Sequence, residues 1–259
     1  MTIRSTHGIS FLISESLSRR GVVHGFFMRH GGCSPKPWKS LNMATSVGDT
    51  RENVIENRSR LANSLGIPSD RFYDVWQVHG NEVTLTDIPR PPEQHHIQSD
   101  GIATDKENVY LLMLFADCVP ILVYDDACHA VGIAHAGWKG TLNNVAGALI
   151  AKMIEKYNSS PNGLMAVIGP RICREHYPVG NEIAQQAENI YKSSDILKNK
   201  GGKNHFDLGL ANEINLRECG ISAIERMDIC TSCQNEDWFS HRAERGKTGR
   251  YAAVIGLPK

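Results

Sequence analysis

The sequence has no charge excess of either sign: its 259 residues hold 28 Lys+Arg against 28 Asp+Glu. A bulk electrostatic drive toward nucleic acid or an anionic membrane is therefore missing, because such binders carry a basic surplus. An unbroken apolar run is missing too. The longest, Val109 to Tyr124, is interrupted by Asp117 and Pro120. That is short of the ~18 apolar residues of a membrane span, so it reads as two buried strands around a turn. No heptad, internal repeat or low-complexity tract is visible, which excludes coiled coils, solenoids and propellers. The first twenty residues hold no apolar block of signal-peptide length and no small-residue cleavage site. The seven cysteines are odd in number and scattered, which suits a reducing compartment better than a disulfide framework. A cytoplasmic protein with no membrane or nucleic-acid partner is expected, and a monomer, since no apolar helix face asks for a partner.

What is present is an ordinary globular composition, 41% hydrophobic and 22% charged, long enough for one substantial core. Strands are expected at Val22–Met28, Phe72–His79, Tyr110–Phe115, Ile121–Tyr124, Ala130–Ala134, Leu164–Ile168, Ala223–Ile229 and Tyr251–Ile255, all short and flanked by turn residues. The short connection from Asp125 to His129 predicts antiparallel pairing of its two strands. Helices are expected over 51–65, 139–156, 181–198 and 207–219, from apolar residues at helical spacing with Thr50, Gly66 and Gly220 as end signals. The pattern predicts α+β layering in a single domain over residues 1–259, with a variable N-terminal segment over 1–20.

Three segments place a His or Cys where a predicted strand runs out: Gln77-Val78-His79-Gly80, Ala116-Asp117-Cys118 and Ala134-His135-Ala136-Gly137-Trp138. Two imidazoles and a thiolate are a ligand set for Zn²⁺ that leaves a fourth position open. Taken singly, each residue has a bland reading as a core or surface side chain, and the spacings are not a local zinc signature. Cys230-Thr-Ser-Cys233 could be half of a zinc ribbon or a redox pair. With no second Cys-x-x-Cys in the chain, two incidental free thiols near a strand end are expected. Arg29 beside Gly31-Gly32, and Arg242, Arg245 and Arg250 near the other end, form a second basic set able to face an anion such as phosphate.

The motifs, in order, carry a resemblance. Arg29-x-Gly31-Gly32-x-Ser34, Ser40-Leu41-Asn42, Val47-Gly48-Asp49, Val54-x-x-Asn57-Arg58, Gln77-Val78-His79-Gly80, Asp100-Gly101 and Ala116-Asp117-Cys118-x-Pro120 come first. Ala134-His135-Ala136-Gly137-Trp138-Lys139-Gly140, Ile168-Gly169-Pro170-x-Ile172, Tyr177-x-Val179-Gly180, Phe239-Ser240-x-Arg242 and Thr248-Gly249-Arg250 follow. From about residue 20 onward the chain resembles the laccase-domain family, long called polyphenol oxidases and later read as purine nucleoside enzymes. The resemblance implies a mixed-sheet α/β/β/α-type layered fold, related to toxin-type cysteine deamidases. It implies a zinc ion held by His79, Cys118 and His135. It also implies phosphorolysis of adenosine, inosine, guanosine and methylthioadenosine, with deamination of adenosine, so that purine nucleoside and phosphate are the partners.

Arg29, Asn42, Gln77 and Arg242 are the expected substrate contacts. Asp117 has two readings: a proton carrier, or a residue that holds a ligand His or caps a turn. The chain departs from the family pattern at Lys139 (for Arg), Pro178 (for Glu) and Ala243 (for a second Arg), none of them an expected ligand. Two other activities stay open. A cytoplasmic amidase editing peptidoglycan precursors suits a Cys/His pair. Copper-dependent polyphenol oxidation suits Cu²⁺ at the same three ligands, although no His-x-His pair of the multicopper type occurs.

Overall fold

A computed structural model describes residues 1–193 and 195–259. In chain order the elements begin with β1 (Thr2–Thr6), β2 (Ile9–Ile13), α1 (Glu15–Arg19), β3 (Val23–Phe27), α2 (Arg51–Leu65), β4 (Phe72–Tyr73), β5 (Val83–Leu85) and β6 (Gly101–Thr104). The central part follows with β7 (Tyr110–Phe115), β8 (Val119–Asp125), β9 (Ala130–Ala136), α3 (Trp138–Leu142), α4 (Val145–Tyr157) and β10 (Leu164–Ile168). The last part is β11 (Pro178–Val179), α5 (Asn181–Ile190), β12 (Leu197–Lys200), β13 (Lys203–Phe206), α6 (Leu208–Glu218), β14 (Ala223–Arg226) and β15 (Tyr251–Gly256). Among the described residues no helix is long and apolar enough to cross a membrane.

Two six-stranded mixed sheets, ordered β1-β2-β3-β15-β7-β4 and β14-β10-β8-β9-β6-β5, make the body. Side-chain alternation decides how they stack. Leu111, Met113 and Phe115 of β7 share one buried cluster with Leu122 and Tyr124 of β8 and Val131 and Ile133 of β9. The alternate residues of β7, Tyr110 and Leu112, pack with Leu61 and Ala62 of α2 instead. Those of β8, Val119, Ile121 and Val123, pack with Leu149, Ile150 and Met153 of α4 and Leu208 and Ala211 of α6. Period-two strands with both faces apolar thus give four layers: helix, sheet, sheet, helix. That is the layered α/β/β/α arrangement expected from the motifs.

Val109 to Tyr124 does form two buried strands, but they belong to different sheets. Asp117 and Cys118 are therefore the point where the chain crosses from one sheet to the other. The hairpin of β8 and β9 is antiparallel, as its short connection predicts, and it pairs Pro120 with His135.

Three expectations are corrected. The 139–156 helix is two, because Asn144 takes a left-handed φ of 54° and its side chain caps α4 through the Gly147 N–H at 2.8 Å. The 181–198 helix stops at Ile190, and Leu197–Lys200 pairs with β13 across Gly201-Gly202, where φ is 58° and 76°. The Phe72–His79 strand is confined to Phe72–Tyr73, with one isolated bridge beyond it from Trp76 to Gln98. Within the N-terminal segment 1–20, β2 pairs with β3 and extends the first sheet.

The short β4 has a physical reason. Asp74, directly after it, is buried, and its carboxylate takes Arg58 at 2.7 Å, Arg90 at 2.6 Å and His96 at 3.3 Å. Burial pushes this carboxyl up, but His96, Arg58 and Arg90 outweigh it and hold it far below the usual range. A depressed carboxylate contributes stability that is complete above the unfolded value of about 3.9 and is lost as pH falls below it. Asp74→Asn leaves two guanidinium groups facing a neutral amide, for an expected loss of roughly 3 kcal/mol. Urea unfolding at pH 7 and pH 3 checks this: the difference between wild type and variant shrinks at the lower pH.

Candidate metal centre

His79, Cys118 and His135 converge so that their ligand atoms lie within 4.8 Å of one another. Three separate local structures deliver them. His135 sits inside β9, buried, with its strand register fixed opposite Pro120. Cys118 follows the inter-sheet crossing, where Asp117 takes a φ of 87°. His79 lies in the loop after β4, itself at a φ of 60°. Two non-glycine residues in the left-handed region at one site cost of order 1–3 kcal/mol each, which the surrounding packing must over-determine. The imidazoles meet edge to face, their centroids 4.8 Å apart. Gly137 closes the approach: a Cβ there would stand 3.0 Å from both Cys118 Sγ and His79 Cδ2.

Asp100 braces the set. Its Oδ1 lies 2.8 Å from His135 Nδ1, so that ring's Nε2 is the nitrogen turned toward the other donors. Its Oδ2 accepts the Val78 N–H at 3.1 Å and the Gly80 N–H at 2.6 Å, which holds the loop that carries His79. One carboxylate thus fixes two of the three donors. Burial pushes Asp100 up, but its bonds to His135, Gly80 and Val78 win and leave it below its ordinary value.

Electrostatics favour a thiolate. Burial pushes the Cys118 thiol up, and the imidazoles of His135 and His79 more than reverse that, bringing it to about 6. Burial likewise pushes His135 down, and Cys118 and Asp100 reverse it, raising it to about 9. A soft anion and two imidazoles with one exposed edge at His79 fit a zinc ion with a free fourth position. A metal bound here would displace the His135 proton, so its affinity would rise with pH.

Asp117 takes up the turn-capping role. Its Oδ1 accepts the Thr231 hydroxyl at 2.7 Å and its Oδ2 accepts the Arg242 backbone N–H at 2.7 Å. Holding a ligand histidine falls to Asp100 instead. Arg242 is exposed, with its guanidinium 5.0 Å over the Tyr177 ring and Nη1 donating to the Pro178 carbonyl at 3.2 Å.

The other expected substrate contacts, Asn42, Gln77 and Arg29, bond to groups of the protein itself. Asn42 is fully buried; it donates to the Ala44 carbonyl and Asp49 and accepts from the Ala44 and Arg250 N–H groups. The Gln77 amide pairs with both backbone groups of Leu114 at 2.8 Å, as a strand residue would. Arg29 is buried over Phe239 and donates to the carbonyls of Lys39, Asn235 and Trp238 and to Glu244. Their polar atoms are satisfied by the protein itself.

Cys230 and Cys233 are free thiols, as expected, but they do not stand alone. Among the described residues a second group of ligand atoms within 4.8 Å contains both, together with Cys173 and His176.

Residues 23–258 match the family described as multi-copper polyphenol oxidoreductase laccase. The chain belongs to that family. It is 33% identical to the protein named purine nucleoside phosphorylase YlmD of Bacillus subtilis, across 99% of this chain and 96% of that one. It is 35% identical to a purine nucleoside phosphorylase of Deinococcus radiodurans, across 97% and 94%. The crystal structure of YlmD from Geobacillus stearothermophilus superposes with a TM-score of 0.92 at 33% identity, covering 99% of this chain and 98% of that one.

Within this family member the sequence pointed to the tripod but not to what supports it. Asp100 stood in a quoted motif with no role attached, and Thr231 carried no signal. Arg250 is mostly buried, and its N–H is fixed by Asn42 at 2.9 Å. Burial lowers its pKa, against the opposing charges of Cys118 and Asp117.

Proposed function

We propose that this chain is a zinc-dependent purine nucleoside phosphorylase. It cleaves adenosine, inosine, guanosine and methylthioadenosine with phosphate and also deaminates adenosine. The observation that carries the reading is the His79/Cys118/His135 tripod beside the Arg242–Tyr177 stack, in a chain whose relatives are named for phosphorolysis. The seven cysteines, none of them in a disulfide, accord with a cytoplasmic location.

In phosphorolysis a phosphate oxygen bonds to ribose C1′ while the C1′–N9 bond breaks. The purine leaves with the bonding pair and gains a proton. Phosphate must be held in line with that bond, which calls for fixed cations and N–H donors. Arg242 supplies the exposed guanidinium, Tyr177 supports it from below and Asp117 positions its backbone. A zinc ion held by His79, Cys118 and His135 would supply Lewis acidity and lower the pKa of water to ~7, the condition for attack at adenine C6.

Arg242→Ala is expected to raise the KM for phosphate roughly 10- to 100-fold, the value of a lost charged hydrogen bond, while zinc content stays unchanged. Phosphate omission tests the reaction class. Base release from inosine stops without phosphate, while ammonia release from adenosine continues. Base release that ignores phosphate makes the enzyme a nucleoside hydrolase and overturns the reading.

One observation favours a second reading. Cys118, His135 and Asp100 stand in the order nucleophile, base and orienting carboxylate, with the His135–Asp100 bond at 2.8 Å. That is the equipment of a thiol amidase acting on amino-sugar peptides. Zinc at Cys118 and thioester formation need the same sulfur, so chelation separates the two. Phosphorolysis falls on metal removal, whereas amidase activity rises.

A further inference from the structure

We propose that Cys173, His176, Cys230 and Cys233 bind a second zinc ion, a closed structural site that joins the two segments flanking the tripod. The proposal stands whatever the tripod catalyses.

Two short knuckles form the site: Cys173-x-x-His176 and Cys230-x-x-Cys233 share the same i, i+3 spacing. A Cys pair at this spacing is a common half of a structural zinc site. The other half here is Cys-x-x-His, so counting Cys-x-x-Cys pairs cannot find it. The fold brings the halves together because Arg171 and Cys230 form a parallel bridge. In it the Arg171 N–H donates to the Ile229 carbonyl at 3.1 Å and the Thr231 N–H donates to the Arg171 carbonyl at 3.0 Å. A helical turn at Arg174–His176 then folds the imidazole back over the sulfurs.

The nitrogen–sulfur spacings match those of tetrahedral zinc, and all four donors lie within 4.8 Å of one another. His176 Nδ1 lies 3.4 Å from Cys173 Sγ, 3.3 Å from Cys233 Sγ and 3.9 Å from Cys230 Sγ. Bonds of about 2.3 Å to sulfur and about 2.05 Å to nitrogen at tetrahedral angles put such atoms roughly 3.6 Å apart. Four donors with no gap between them leave no position for substrate, unlike the tripod. Cys230 Sγ also accepts two backbone N–H groups, from Cys173 at 3.2 Å and Cys233 at 3.4 Å. Such bonds offset the surplus negative charge of three thiolates around one divalent cation. A single disulfide uses two sulfurs and gives the third, and His176, nothing to do.

The position of the site gives it a consequence. Thr231, between the two cysteines of one knuckle, donates to Asp117 beside Cys118. Tyr177, next to His176 on the other knuckle, lies under Arg242. A metal here sets the spacing of both sides of the catalytic cleft without touching substrate.

The test uses full-length Cys118→Ala protein, which lacks the tripod thiolate. Zinc per chain is measured by inductively coupled plasma mass spectrometry after dialysis. Cobalt is then substituted, and thiolate-to-cobalt charge-transfer absorption is recorded. The expected result is one tightly held zinc per chain and a thiolate–cobalt spectrum, both lost when Cys230→Ser and Cys233→Ser are added. Should that triple variant fail to fold, chelating the Cys118→Ala protein gives the same contrast, with a melting temperature lowered by several degrees. No retained zinc and no thiolate–cobalt band in Cys118→Ala overturns the proposal. So does a disulfide among Cys173, Cys230 and Cys233, detected by alkylating denatured wild type without reductant. Because the readouts are metal and thiols, failure of the nucleoside reading leaves them unaffected.

Discussion

Cys118→Ala is expected to lower phosphorolysis and deamination by roughly 10³-fold or more, the several kcal/mol that a catalytic metal contributes to a developing charge. Cys118 is the only anion in the tripod, and the fold is built to keep it so. Both neighbouring imidazoles bring its thiol down to about 6 against the opposing effect of burial. Removing it leaves two imidazoles, one of them held by Asp100, and no charge to neutralise a divalent ion. Cys118→Ser keeps the shape but not the acidity, so it is expected to behave like the alanine variant. A Cβ at Gly137 would stand 3.0 Å from Cys118 Sγ, and truncating the thiol only adds room there, so little loss of fold accompanies the loss of metal. Unchanged melting behaviour alongside lost tripod zinc separates the chemical effect from misfolding.

Asp100→Asn carries the second large effect, a 10- to 100-fold weakening of tripod zinc affinity. The native carboxylate accepts from His135 on one oxygen and from Val78 and Gly80 on the other. An amide offers one oxygen and one NH₂ group, so whichever way it turns, a donor meets a donor. Either His135 loses its tautomer and orientation, or the His79 loop loses its anchor. Leaving a buried donor unsatisfied costs a further ~1–3 kcal/mol of stability. Competition with a chromophoric chelator measures the affinity. Unaltered zinc affinity in a folded Asp100→Asn protein means that the bracing carboxylate has no bearing on the metal.

Much of this was legible in the sequence, for identifiable reasons. Strands such as Tyr110–Phe115 and Leu164–Ile168 are buried on both faces, and short apolar runs bounded by turn residues announce them plainly. The helix at Arg51–Leu65 carries its own stop signs in Thr50 and Gly66. Where expectations failed, tertiary context had overridden local pattern. Asn144 cuts a strongly apolar helical stretch in two, and β1 and β2 exist because the edge of β3 is there to pair with.

The same holds at the site. Cys118 precedes β8, His135 is the last residue but one of β9 and His79 stands in a loop, and each lies within a short conspicuous motif. Their bracing by Asp100 depends on a loop from one part of the chain meeting a strand from another, which spacing does not encode. Asn42, Gln77 and Arg29 show the converse. Polar residues inside recognisable motifs hold the frame by satisfying backbone groups, and nothing in residue type separates that work from substrate binding. The cluster around Cys230 stayed hidden because its partner half mixes Cys with His.

The central claim is that this chain performs phosphorolysis at the His79/Cys118/His135 centre, and chromatography of reaction products tests it most directly. Wild-type protein of verified zinc content is incubated with adenosine and phosphate beside Cys118→Ala and His135→Ala. The account predicts adenine and ribose 1-phosphate, with inosine and hypoxanthine from the deaminating branch, in the wild-type reaction and none above background in either variant. Wild type that holds its zinc yet leaves adenosine intact, or variants that turn it over as fast as wild type, would contradict it.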